Sequence, residues 1–132
     1  MSIEKFKNKI IHGNSLEILQ KIPDNSVNLI FADPPYNLQL SKTLFRPDQT
    51  KVNGVNENWD NFDSFEHYDD FTMSWLKCCR KILKSNGSMW VIGSYHNIFR
   101  LGYHLQNLGY WLLNDVISVS YTHLTLPTNV QV

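Results

Sequence analysis

Val27-Asn28-Leu29-Ile30-Phe31-Ala32 runs directly into Asp33-Pro34-Pro35-Tyr36, and no other stretch constrains the fold as tightly. An apolar run of that length reads as a buried, parallel strand. Two prolines then stop it, because proline has no N–H for a ladder and pushes the residue before it out of the helical region. A carboxylate, two rigid turns and an aromatic ring therefore fall at the carboxyl end of a central strand. In open α/β sheets that is where ligands bind. The plain alternative is a Pro-Pro loop that closes a strand, with Tyr36 as a surface ring.

Around this junction the chain alternates strand and helix signals. Lys9 to His12 reads as a short strand, and Gly13-Asn14-Ser15 as a turn with an N-cap. Leu16, Leu19 and Ile22 make a helical stripe that Pro23 ends. Asp63-Ser64-Phe65-Glu66 has the form of a capping box. Behind it Phe65, Tyr68, Phe71, Trp75, Leu76, Cys79, Ile82 and Leu83 mark one apolar face of a long helix, closed by Asn86-Gly87 as a left-handed cap. The aromatic stripe is core. Ser88 to Gly93 reads as a second buried strand. A helix from about Asn97 to Asn107 follows, with Ile98, Leu101, Leu105 and Leu108 inward and Gly109 as its cap, and Tyr110 to Ile117 reads as a further strand. The order β-α-β-loop-α-β-α-β predicts an α/β fold, a mostly parallel Rossmann-like sheet with helices on both faces.

The chain has 132 residues, enough for one domain or part of one. At 42% hydrophobic and 13% aromatic it has material for a core. Twelve basic against twelve acidic residues give a formal net charge of zero, a mild mark against a nucleic-acid contact by this segment alone. There is no run of 18 apolar residues, and Met1 to Lys9 is too polar for a signal peptide. Cys78 and Cys79 are adjacent, which suits neither a disulfide nor a metal site; a reducing cytoplasm with free thiols fits best.

Asp-Pro-Pro-Tyr behind a strand resembles the catalytic motif of amino-methyltransferases that modify the exocyclic amine of a DNA base. Ile10 to Asn14, Phe31 to Leu40, Phe71 to Leu83 and Trp90 to Arg100 resemble one branch of these enzymes. That branch is the permuted β-class of adenine-N6 DNA methyltransferases, the cell-cycle-regulated, GANTC-methylating kind, and the likeness covers roughly residues 9 to 117. It implies a Rossmann-like, S-adenosylmethionine-dependent fold acting on double-stranded DNA.

The resemblance also assigns roles. Asp33 and the Pro34 carbonyl accept the two N6 hydrogens, which frees the amine's lone pair to attack the sulfonium methyl. Pro35 stiffens the loop, and Tyr36 stacks on a base that has left the duplex. Asp at the first position favours adenine; related enzymes acting on cytosine N4 more often carry Ser there, and those acting on glutamine side chains Asn. Asn14 and Asp33 lie on the cofactor side; Asn14 serves equally well as a plain helix cap. In the long loop 37–62, Leu38 and Leu40 are candidate wedges in the base stack and Lys42, Arg46 and Lys51 candidate phosphate contacts, against a mobile surface loop as the alternative. Tyr95, His96 and Asn97 are candidates to line the flipped-base pocket, against a satisfied loop histidine and a helix cap.

The family pattern stops near Ile117, where a Trp-Arg-Lys-x-Asn-Pro continuation is expected, followed by a recognition region and a Phe-x-Gly-x-Gly loop for the cofactor's methionine end. The six glycines include no GxG pair. Residues 118–132 have no counterpart in the family and are expected to be a sequencing or assembly artefact, with an authentic short form as the alternative. The expected function is site-specific adenine-N6 methylation of duplex DNA by the complete enzyme. This amino-terminal catalytic fragment, without the glycine loop, is expected to bind S-adenosylmethionine poorly and, made alone, to be poorly soluble or to form a homodimer through its exposed edge. The alternatives are an inactive binding fragment, or transfer to cytosine N4, RNA or a protein side chain.

Overall fold

The computed structural model describes residues 2–38 and 60–118; Leu40, Lys42, Arg46, Lys51 and the tail from Val119 lie outside them. After a 3-10 turn at Ile3–Lys5 come α1 (Ser15–Leu19), β1 (Val27–Ala32), α2 (Phe65–Ile82), β2 (Leu83–Val91) and α3 (Ile98–Asn107). β1 and β2 pair in parallel, with Ile30 opposite Met89, Phe31 opposite Trp90 and Ala32 opposite Val91. Parallel pairing brings the carboxyl ends of both strands to one rim, and the Ile92 N–H donating to the Ala32 carbonyl at 2.8 Å carries the ladder one residue further.

Each helix forms for a local reason. Asn14 caps α1, its Oδ1 accepting from the Leu16 and Glu17 amides. Ser64, one residue beyond the expected cap, accepts from His67 N to start α2. The stripe on α2 buries Tyr68, Trp75, Leu76, Cys79 and Ile82, while Phe65 stays exposed beneath the Arg100 guanidinium. At the end of α3, Gly109 takes φ +75°. Its N–H donates to Gln106 O, and Tyr110 N–H to Leu105 O, a Schellman closure that satisfies two end carbonyls. The core joins Trp75, Leu76 and Cys79 of α2 to Leu101 and Leu105 of α3. Ile30, Ala32, Met89 and Val91 of the sheet and Leu16 and Leu19 of α1 pack against it. Burial on this scale is worth roughly 1.5–3 kcal/mol for each large side chain. It also pushes the Cys79 thiol up to about 12.

Several expectations are corrected. Residues 9–12 and 110–117 are not strands; Ile10 and Trp111 are fully or nearly fully exposed. A strand exists through its ladder, and among the described residues only β1 and β2 find each other. Helices cover one face of the sheet and not both, so neither Val27–Ala32 nor the stretch from Ser88 is the buried strand expected: Leu29, Phe31 and Trp90 on the other face are more than half exposed. Asn86-Gly87 is not a helix cap. α2 passes straight into β2 at Leu83, and the pair bulges between Val27↔Leu83 and Leu29↔Ser88. A Cβ on Gly87 would stand 2.9 Å from Leu83 Cδ2 and 3.2 Å from the Asn28 carbonyl, so glycine lets the bulged strand approach its partner.

Candidate active site

The loop from Asp33 to Leu38 leaves β1 at the carboxyl rim, beside the loop from Gly93 to Asn97 that leaves β2. Asp33 is exposed, Pro34, Pro35, Tyr36 and Leu38 are half-buried and Asn37 is buried. Tyr36 donates its phenolic proton to Asp33 Oδ1 at 2.5 Å, closing a small ring across the two prolines. Burial, then this bond and the Asp33 charge, push the Tyr36 hydroxyl up to about 12, so the ring stays protonated at neutral pH.

Three fixings hold the loop. Ahead of it, the Ala32 carbonyl is tied to β2. At its middle, Tyr68 Oη on α2 donates to the Pro35 carbonyl at 2.8 Å. At its end, the Asp60 carboxylate takes the Asn37 N–H at 2.8 Å on one oxygen and the Leu38 N–H at 2.9 Å on the other. That grip holds Asn37 in the left-handed region at φ +55°, a conformation asparagine adopts more readily than most residues. Asp60 is itself buried, and its charge is compensated by these charge-assisted bonds.

On the neighbouring loop Tyr95 and His96 are exposed, with His96 Nδ1 3.4 Å from Ser94 Oγ. Asn97 is different. It is 1% exposed, its Oδ1 accepts from Ser94 N–H at 2.8 Å and its Nδ2 donates to Tyr68 Oη at 3.1 Å. Its carboxamide is spent inside the protein, and it makes no side-chain cap for α3. Gly93 permits this packing; a Cβ there would come within 3.1 Å of Asn97 Oδ1.

An ion-pair clasp joins α2 to α3. Arg100 lays its guanidinium on Asp69 as a fork, Nε to Oδ1 at 2.8 Å and a terminal nitrogen to Oδ2 at 2.6 Å. His104 Nε2, buried, lies 3.0 Å from the same carboxylate. The Arg100 bonds, with His104 behind them, hold the Asp69 carboxyl below its usual range.

Sequence reasoning singled out Asp33, Pro34, Pro35 and Tyr36, and these share one short loop. It missed Tyr68 and Asp60 as the loop's supports, having taken Tyr68 as core and Asp60 as part of a featureless stretch. A buried tyrosine must find a partner for its hydroxyl, which was the available signal. Asn14, on the cofactor side by resemblance, has its Oδ1 committed to the cap.

A family profile described as DNA methylase, covering N6 and N4 enzymes, matches residues 27–129. The chain is 51% identical over 116 residues to the Type II methyltransferase M.HinfI of Haemophilus influenzae, a match covering 88% of this chain and 32% of that protein. It is 38% identical over 113 residues to the Type II methyltransferase M2.LlaDCHI of Lactococcus lactis subsp. cremoris, covering 86% of this chain and 42% of the relative. The chain thus spans well under half the length of either. Its parallel strand pair with flanking helices is an incomplete Rossmann-like methyltransferase fold, and with the profile spanning most of its length the chain belongs to the DNA methylase family.

Proposed function

We propose that this chain carries the base-accepting half of a DNA methyltransferase that moves a methyl group from S-adenosylmethionine to adenine N6, within GANTC, in duplex DNA. One observation carries the reading: an exposed carboxylate on a triply held Pro-Pro loop, at the rim where two parallel strands end. S-adenosylmethionine supplies the electrophilic methyl when bound. The described residues fit it in part, through Asp33 and the exposed Asn14, whose Nδ2 is left by the cap bonds to meet a ligand.

The chain's own contribution is positioning and electrostatics. Asp33 Oδ2 and the Pro34 carbonyl accept the two N6 hydrogens and localise the amine's lone pair. The N6–C bond forms as the carbon–sulfur bond breaks, and one amine proton then leaves to solvent. Tyr36 supplies a stacking face while its hydroxyl steadies Asp33, and the exposed Tyr95 and His96 meet the flipped base or its strand. Leu38, with Leu40, Lys42, Arg46 and Lys51, is assigned to the DNA backbone and stack. The setting is cytoplasmic, in keeping with two free cysteines; among the described residues no helix is long and apolar enough to cross a membrane.

Cytosine N4 is the second reading, since the family profile spans both amines. Labelled methyl transfer to GANTC duplexes, to duplexes lacking that site and to RNA, followed by nucleoside identification, separates these. N6-methyladenine confined to GANTC is the expected product. Asp33→Ala should lower kcat by about 10²–10³-fold with DNA affinity nearly intact, as for loss of a preorganised transition-state contact. Equal loss of binding and turnover would overturn the role given to Asp33.

A further inference from the structure

The geometry points to Tyr68 and Asn97 as positioning residues: a buried, one-way hydrogen-bond relay from the β2 rim loop that fixes the carbonyls of the Pro-Pro loop. The inference rests on the proposed methyl transfer, whose acceptor set it explains.

The polarity of the relay follows from chemistry alone. The Ser94 backbone N–H is only a donor, so the Asn97 atom facing it at 2.8 Å must be the oxygen. The amide nitrogen then faces Tyr68 Oη at 3.1 Å and donates to it. Having accepted there, Tyr68 gives its single proton to the Pro35 carbonyl at 2.8 Å. Tyr68 and Asn97 are each 1% exposed, so water does not substitute for a missing link.

The consequence reaches the reacting atoms through backbone stiffness. The pyrrolidine ring locks Pro35 φ, and the anchored carbonyl locks its ψ. With planar peptides on either side, the Pro34 carbonyl has little freedom left to turn. Through a bond from Tyr68 to Pro35, 33 residues apart in sequence, the relay therefore sets the direction of the neighbouring amine acceptor, and couples it to the loop bearing Tyr95 and His96. Had these residues only filled the core, Phe and Leu would serve as well.

The test uses the 132-residue chain with Tyr68→Phe, Asn97→Asp and the double variant. Asn97→Asp keeps an acceptor for Ser94 but cannot donate to Tyr68, so the tyrosine proton turns away from Pro35. Two readouts are taken: residue-resolved amide exchange, and methyl transfer to duplex DNA split into kcat and KM. Each single variant should speed exchange at Asn37 and Leu38 by about tenfold and leave the β1–β2 ladder amides unchanged. Turnover should fall about tenfold in kcat, with KM for DNA within about twofold, and the double variant should be little worse than either single one. Unchanged exchange in the loop, or acceleration of every amide together, overturns the relay. Wild-type chain that transfers no methyl group counts against the proposed reaction for this chain, and the exchange arm still decides the relay.

Discussion

The hydroxyl of Tyr36 and the carboxylate of Asp33 are joined at 2.5 Å, so the stacking ring and the amine acceptor of the proposed reaction form one unit. On stacking grounds alone Tyr36→Phe should be harmless. The bond changes that expectation. Phe keeps the ring but frees Asp33 to sample other rotamers, so turnover should fall about three- to tenfold, the range for losing one charge-assisted bond, while Tyr36→Ala falls further. Steady-state kinetics of both variants on one DNA substrate would check this, and a Tyr36→Phe variant as active as wild type would count against it.

The same pair makes a prediction in alkali. The Tyr36 hydroxyl titrates at about 12 in the folded chain against an ordinary value of 10.0. Because the folded state holds this proton more tightly, the pair's stabilisation is complete below pH 10.0 and is lost as pH rises through about 12. A phenolate absorbance titration should show Tyr36 in a late-ionising group with Tyr68 and Tyr110, whose hydroxyls are also raised by burial. Tyr36→Phe should remove one phenol from that late group.

Acid should act at a different place. Asp69 titrates below 3.8 because Arg100 grips it, so its contribution is complete above 3.8 and fades as pH falls through the lowered value. Asp69→Asn should therefore cost stability at neutral pH, on the order of 1–2 kcal/mol for a partly exposed forked pair. The gap to wild type should narrow as pH drops below 3.8. Thermal melts at several pH values give the answer, and a gap that widens in acid would rule out the Arg100–Asp69 pair as its source.

What the sequence made legible follows the range of each signal. The β1 run, the Pro-Pro stop, the α2 stripe and the Gly109 cap are local patterns, and all four were readable without a partner strand or helix in view. Gly87 was readable as a glycine but not as a bulge, because its need arises from the folded path that brings Leu83 and Lys84 of its own strand and Asn28 of the partner strand against it. Periodicity put Tyr68 on the inner face of α2 without saying that its hydroxyl reaches Pro35. Residues 9–12 and 110–117 have strand-forming composition, but a strand also requires a neighbour. The four-residue motif pointed to the residues proposed for the chemistry; only the structure showed Tyr68 and Asp60 holding them.

The uncovered sheet face yields the last prediction. Leu29, Phe31 and Trp90 stand on the side opposite the core, 58%, 69% and 51% exposed, with Ile92 next to them at 36%. Monomeric proteins rarely leave such a contiguous apolar patch in water, and strand edges that find no partner among the described residues add backbone donors and acceptors beside it. The 132-residue chain should therefore self-associate, eluting earlier from a sizing column as concentration rises. Phe31→Lys with Trp90→Lys should return it toward the monomer. Because neither ring contributes to the core, the melting transition should move by no more than about 0.5 kcal/mol per site, as for ordinary surface substitutions. A wild-type chain that elutes as a monomer at every concentration, with a cooperative melt, would show that this face needs no cover.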